Sequence, residues 1–273
     1  MCKENFTRET QKTNNLKQVI IRIDYAGMAS AERVVNKLSK ELKEKFFTSM
    51  NRTMLSQAKL NFSNAAEIAR TLSIPIEELK NIPLFEFNVS PFVGTKDTVK
   101  LEVCNLYTAL TVNTQEYGGV KPYRDFFTWF VGNLYAIEPF LSIKRLGIRK
   151  KSGDPYGSIE EINHIYEPKY YFGETIDHGN GMIRREYQDC FWNDEKNIKV
   201  NYNRGIRTVR LATEGIGMQV VLDIDVYVDD GIIEKEKYDF KEHFEQIFNR
   251  LNDYQYDLYK RAVTAEYLDK TSK

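Results

Sequence analysis

Residues Gln219 to Val228 alternate strictly, with Val220, Leu222, Ile224, Val226 and Val228 on one side and Gln219, Val221, Asp223, Asp225 and Tyr227 on the other. A period of two predicts a β-strand with one buried face and one wet face. After a turn expected at Asp229, Asp230 and Gly231, the residues Phe240, Phe244, Ile247, Phe248, Leu251, Tyr254, Leu258 and Ala262 recur at helical spacing. They form a single apolar stripe. A half-wet strand feeding a one-sided helix requires a sheet for that stripe to cover, and the rest of the chain is read as its source.

The upstream pattern supplies strands and two more helices. Val19, Ile21, Ile23 and Tyr25 alternate with Gln18, Ile20, Arg22 and Asp24, and Ser30 stands where it would cap a helix lined by Val34, Val35, Leu38, Leu42 and Phe46. Residues 18–24 look like residues 219–225, which suggests two related strand-helix units with halves at about 16–139 and 140–268. Pro83 to Pro91 is extended and alternating, and the runs Val99–Val103 and Thr108–Val112 around a turn at 104–106 predict a hairpin. A helix lined by Phe126, Phe127, Phe130, Val131, Leu134 and Ile137 closes at Pro139, and a strand over 140–151 carries Gly147, where a close contact or a bulge is expected. Residues 152–181 read as a long loop with a short helix near Ile159 to Ile165; Met182–Trp192 and Ile198–Ala212 add further strands. The segment Ser63–Leu79 resembles the first helices of a helix-turn-helix. Its would-be reading helix, Ile76 to Lys80, is too short and too acidic for a DNA groove, so two short helices at the sheet edge are expected instead.

The expected fold is α+β: a curved, mostly antiparallel sheet covered on one side by helices near 30–47, 122–138 and 239–263. It forms one domain over 16–268, with a flexible arm at 1–15 and a tail at 269–273. Apolar residues make up 42% of the chain, enough to build a core, and 39 basic residues cancel 39 acidic ones. That balance argues against a global nucleic-acid footprint or a polybasic pull toward membranes, and leaves a local basic face open. Cys2, Cys104 and Cys190 are too few and too scattered for a disulfide framework or a cysteine zinc site and read as reduced thiols, Cys104 and Cys190 being core or half-buried. The first fifteen residues lack a signal-peptide core and no run of eighteen apolar residues occurs, so a cytoplasmic protein without a membrane partner is expected.

Three constellations bear on chemistry. Asp223 and Asp225 share a strand face, as do carboxylates that hold Mg²⁺ against a triphosphate, but the short Gly215-Ile216-Gly217 segment lies too close and has no Ser to grip phosphate. Asp154 with Glu167-Pro168-Lys169 fits the pattern of metal-dependent nucleases only superficially, because Pro168 suits a loop. His164, His178 and His243 offer no pair at metal-ligand spacing. The most distinctive charge feature is basic: Lys144, Arg145, Arg149, Lys150 and Lys151, joined by Arg184, Arg185, Arg204, Arg207 and Arg210. Arg145 and Arg149 share a face with Gly147 between them and suit a phosphate or carboxylate, with tyrosines of the 156–171 loop placed to stack beside them. The competing reading is a charged sheet face in which these arginines answer Asp223 and Asp225.

The order of motifs resembles a sporadically distributed family of bacterial proteins of unknown function. The resemblance rests on Val19–Ile23, on Leu101–Val103 running to Tyr117, and on the helix containing Trp129 leading into Ile143-Lys144-Arg145-Leu146-Gly147-Ile148-Arg149. It continues through Val221–Tyr227 and the closing helix from Leu251 to Thr264. The chain departs from the family pattern after Arg149, where the family prefers a Tyr and an Asn and Lys150, Lys151 and Ser152 stand here. The resemblance implies no reaction, and a patchy distribution suits mobile genes such as defence or toxin-antitoxin modules. The expected function is a non-enzymatic recognition module that binds a protein partner or anionic ligand through Arg145, Arg149, Lys150 and Lys151, without metal or cofactor and with homodimerisation open. The alternative is a metal-dependent enzyme acting on nucleic acid or nucleotides, with Mg²⁺ on Asp223 and Asp225.

Overall fold

Strand β1 (Leu16–Ala26) buries Val19, Ile21, Ile23 and Tyr25 and presents Gln18, Ile20, Arg22 and Asp24 to the opposite face. The computed structural model describes residues 3–7, 15–55, 81–114, 118–170, 184–211, 215–236 and 239–272. Helix α1 (Ala31–Lys45) follows β1, with the Ser30 hydroxyl accepting from the Arg33 amide at its start. Next come β2 (Ser49–Met54), β3 (Pro83–Val89), β4 (Thr98–Val103), β5 (Tyr107–Asn113) and α2 (Lys121–Ile137). The second half runs β6 (Ser142–Ser152), β7 (Pro155–Tyr156), α3 (Ile159–Ile165), β8 (Arg184–Asn193), β9 (Ile198–Leu211) and β10 (Gly215–Asp229), then α4 (Asp230–Glu236), α5 (Phe240–Ala262) and α6 (Ala265–Ser272).

All ten strands belong to one open antiparallel sheet in the order β2-β3-β4-β5-β1-β6-β10-β9-β8, with β7 paired to β10, so the fold is α+β. Both halves follow the same path. The first strand of each half, β1 or β6, lies at the centre; the last, β5 or β10, lies beside it; the remaining strands step outward. The β1–β6 pair joins the halves, with Ile21 opposite Ile148. By position in the path, β1 matches β6 and β5 matches β10. The likeness between residues 18–24 and 219–225 therefore aligns strands that are not equivalent, and reflects the shared alternation of two central strands.

Every inward row joins one core. Leu110, Ile21, Ile148, Val226 and Val200 lie in successive paired positions across five strands and pack beneath α1, α2 and α5. A bulge at Lys144, where the register steps from Asp24–Arg145 to Tyr25–Ile143, lets Ile143 and Leu146 both point inward although they are three residues apart. Between the helices lies an aromatic cluster in which Phe127 meets Phe244 at 6.1 Å and Phe244 meets Phe248 at 6.0 Å.

Several expectations change. The turn after Asp229 is the short helix α4, with the Ile232 amide donating to the Asp229 carboxylate. Most of the supposed tail is α6, which buries Leu268. Of the supposed arm, Phe6 lies in the core and Lys3 pairs with Glu167 at 2.5 Å, because an apolar anchor and a counterion are both within reach. Strand β2 was not legible, since all six of its residues are exposed and give no burial pattern. The helix-turn-helix-like segment 63–79 lies outside the described residues. A second apolar cluster, Leu55, Leu84, Cys104, Leu106, Tyr107 and Ala109, sits at the β3–β5 side of the sheet. Cys104 is fully buried, as expected, whereas Cys190 is exposed on β8 and not half-buried.

Two outcomes follow. Phe248 is 0% exposed, so Phe248→Ala should lower the unfolding free energy by about 3–5 kcal/mol, read from the urea midpoint. A midpoint equal to the parent's would mean that α5 does not rest on the sheet. Burial pushes the Cys104 thiol from 9 to about 11. Between those values the unfolded chain binds fewer protons than the folded one, so stability should fall as pH rises through that window. Urea titrations across it should show a shallower fall in Cys104→Ala; equal slopes would refute the assignment.

Candidate functional site: the open face of the sheet

The face of the sheet opposite the helices carries the predicted charges. On β6, residues Arg145, Gly147, Arg149 and Lys151 stand opposite Asp229, Tyr227, Asp225 and Asp223 of β10. The side chains do not pair straight across. The Arg149 Nε and Nη2 donate to the two oxygens of Asp223 at 2.7 and 2.6 Å, one same-face position along. Arg145 reaches two positions along, donating from Nη2 to the Asp225 carboxylate at 3.1 and 2.9 Å. Its guanidinium lies 4.5 Å from the centre of the Tyr227 ring on the way.

Gly147 makes this path available. A Cβ placed on it would stand 2.8 Å from the Arg145 guanidinium, so the gap predicted at Gly147 is filled by the neighbouring arginine. The close contact expected there is real, while the bulge lies at Lys144. Further members extend the network. Asp24 lies 3.8 Å from Arg145 and accepts from Arg22 at 2.7 Å, and Arg22 covers the Tyr107 ring at 4.2 Å. Asn201 donates to Asp225 at 3.3 Å, and Lys199 donates to Asp229.

The hydrogen bond from Arg149 to Asp223 holds its pKa above the ordinary arginine value against the effect of burial. Asp223 is 7% exposed, so removing Arg149 would strand a nearly buried carboxylate.

The offset has a consequence at its end. Lys151 faces Asp223 in register, but Arg149 already holds that carboxylate. Moving one position further along β10 brings Val221, which carries no charge. The Lys151 ammonium makes no hydrogen bond or close ion pair with any described residue. Burial, and then the adjacent Arg149, lower its pKa from the ordinary lysine value, with Asp223 and Asp225 opposing. Lys150 does not belong with the others. It is 6% exposed, points to the helix side and donates to Asn252 of α5 at 2.7 Å, because successive residues of a strand face opposite ways.

The remaining sequence candidates are dispersed. Asp154 pairs with Lys17 at 2.8 Å and Glu167 with Lys3, which ties the N-terminal residues to the loop and brings no common metal position about. His164 meets Glu266 at 3.4 Å at the surface, the His243 ring nitrogen lies 3.0 Å from the Asp239 carbonyl, and His178 is outside the described residues. Among the described residues no three His, Cys, Asp or Glu side chains converge as a metal site. Arg184 pairs with Glu186, Arg207 bonds Gln219 at 2.8 Å and Arg204 pairs with Asp189 at 3.1 Å. Arg22, Asp24, Tyr227, Lys199 and Asn201 were not singled out from sequence. Alternation put Arg22 and Asp24 on the wet face of β1, and only the strand order sets β1 and β9 on either side of the β6–β10 pair.

No family model matches the chain, and no curated protein matches it. Among solved structures it is similar to a chain described as KH domains, at 7% identity and a TM-score of 0.20, over 93% of this chain and 64% of that one. A likeness at that level carries no inference. Among the described residues no helix is long and apolar enough to cross a membrane.

Gly147→Ala should push Arg145 off Asp225. In a double-mutant cycle with Arg145→Ala, the two changes should couple by about 0.5–3 kcal/mol in urea unfolding. Additive effects would show that Arg145 gains nothing from the missing Cβ.

Proposed function

We propose that the chain is a non-enzymatic recognition module of the bacterial cytoplasm whose open sheet face receives an anionic ligand or an acidic stretch of a protein partner. The observation that carries this reading is Lys151, an ammonium at the end of the ion-pair ladder that makes no close ion pair with any described residue. Keeping an unpaired cation half out of water is unfavourable, and an external carboxylate or phosphate would relieve it. Arg145 and Arg149 then act as fixed scaffold whose positions are set by Asp225 and Asp223. Membership of the sporadically distributed bacterial family that the chain resembles, and a place in a defence or toxin-antitoxin setting, belong to the same proposal. The alternative enzyme would need Mg²⁺ on Asp223 and Asp225. Both carboxylates already accept from guanidinium groups, so metal binding would have to open both pairs.

Lys151→Met keeps the apolar stem and removes the charge. It should weaken binding of fluorescent polyglutamate and of a single-stranded oligonucleotide at least tenfold, about 1.4 kcal/mol, while the urea midpoint stays level or rises. Binding that survives Lys151→Met unchanged would remove the basis of the proposal, as would nucleotide binding that requires Mg²⁺.

A further inference from the structure

A cavity of about 610 Å³ lies on the helix side of the sheet, independent of the open face, between β8, β9, the C-terminal end of α5 and the turn Pro168–Tyr170. Its lining includes Tyr170, Asp189, Tyr202, Arg204, Leu258 and Arg261. The volume falls within the range of about 300–1,000 Å³ usual for small-molecule sites.

The polar atoms in this cavity are arranged but incompletely used. Arg204 is oriented by Asp189, whose carboxylate lies 3.1 Å from Nη2. The rings of Tyr187, Tyr202 and Tyr170 lie 5.4, 5.5 and 5.8 Å from the guanidinium carbon. A guanidinium with three tyrosine rings near it and pinned by one carboxylate is pre-organised. Among the described residues, however, its buried Nε finds no partner, and neither does the hydroxyl of Tyr202, a residue only 4% exposed. Buried donors without partners are rare, and each one costs on the order of 1–3 kcal/mol. Two residues that line one cavity thus each carry an unused donor just behind its wall, an arrangement that suits an acceptor.

The charge count agrees. Asp189 offsets Arg204, while Arg261 makes no ion pair with any described residue and lies near enough to Tyr202 to act on its ionisation. The cavity thus carries one cation in excess, beside the Tyr170 and Tyr202 rings and the Leu258 side chain.

We propose that this cavity binds a small planar aromatic or heteroaromatic ring that bears one anionic group. The anion accepts from the Tyr202 hydroxyl and the Arg204 Nε and is balanced by Arg261, and the ring packs against Tyr170 and Leu258. Nucleoside monophosphates and aromatic carboxylates share this chemistry.

Calorimetric titration of the whole chain with AMP, GMP, CMP and UMP in one arm, and with indole-3-acetate and 4-hydroxybenzoate in the other, distinguishes the two sources. Adenosine, inorganic phosphate and acetate serve as the ring-only and anion-only controls. In at least one arm a probe should saturate at one per chain and bind at least tenfold more tightly than its ring-only and anion-only controls. Tyr202→Phe should weaken that probe about tenfold while the urea midpoint holds or rises, because the change removes an unpartnered hydroxyl and nothing else. Arg261→Gln, at an exposed position, should weaken it similarly and leave the fold intact. The proposal is overturned if neither arm saturates below about 1 mM, where binding amounts to only about 4 kcal/mol. It is equally overturned if a control binds as tightly as its probe, or if both variants bind as the parent does.

Discussion

The antiparallel pairing of β1 with β6 holds the two halves of the sheet together, and its register governs both faces at once. Ile21 opposite Ile148 aligns the inward rows of the first half with those of the second, so that one core runs beneath α1, α2 and α5. A slip by one residue would turn Val19, Ile21 and Ile23 into water and bring Arg22 and Asp24 into the core. The bulge at Lys144 matters for the same reason. It corrects the phase of β6 so that Ile143 stays inward while Arg145, Gly147 and Arg149 stay outward.

With the apolar rows placed, the open face becomes an electrostatic problem. Carboxylates and guanidinium groups on adjacent strands can pair directly or diagonally, and Gly147 decides between these by clearing a lane for Arg145. Asp225 then goes to Arg145, Asp223 to Arg149, and Asp229 to Lys199 from the far side. Each of these acids is used, and Lys151 is left without a close ion pair among the described residues. The same lane explains why Arg145 and Arg149 cannot be read as two free guanidinium groups flanking bare backbone.

The other face is less completely solved. Helix α5 covers β6 and β10, and where its C-terminal end meets β8 and β9, Arg204, Tyr202 and Arg261 border a cavity. The two faces thus differ in chemistry: a charged ladder whose terminal Lys151 makes no close ion pair with a described residue on one side, and an arginine set among tyrosines beside a cavity on the other.

Much of the fold was legible because burial leaves a period in the sequence. The strands at 16–26, 83–89, 98–113 and 142–152 and the helices at 31–45, 121–137 and 240–262 all bury one face and repeat accordingly. Strand β2 buries neither face and left no trace. For the site, alternation alone put Arg145, Gly147, Arg149 and Lys151 together on one face with Asp223 and Asp225 on a face of their own, and it should equally have excluded Lys150. It could not decide which acid meets which base, because that depends on strand order, on a two-position diagonal across β6 and β10, and on Arg22, Asp24 and Lys199 from strands far apart in the chain. The cavity left still less in the sequence. Tyr170, Asp189, Tyr202, Arg204 and Arg261 come from four elements with no common spacing, and only their packing at the end of α5 brings them around one volume.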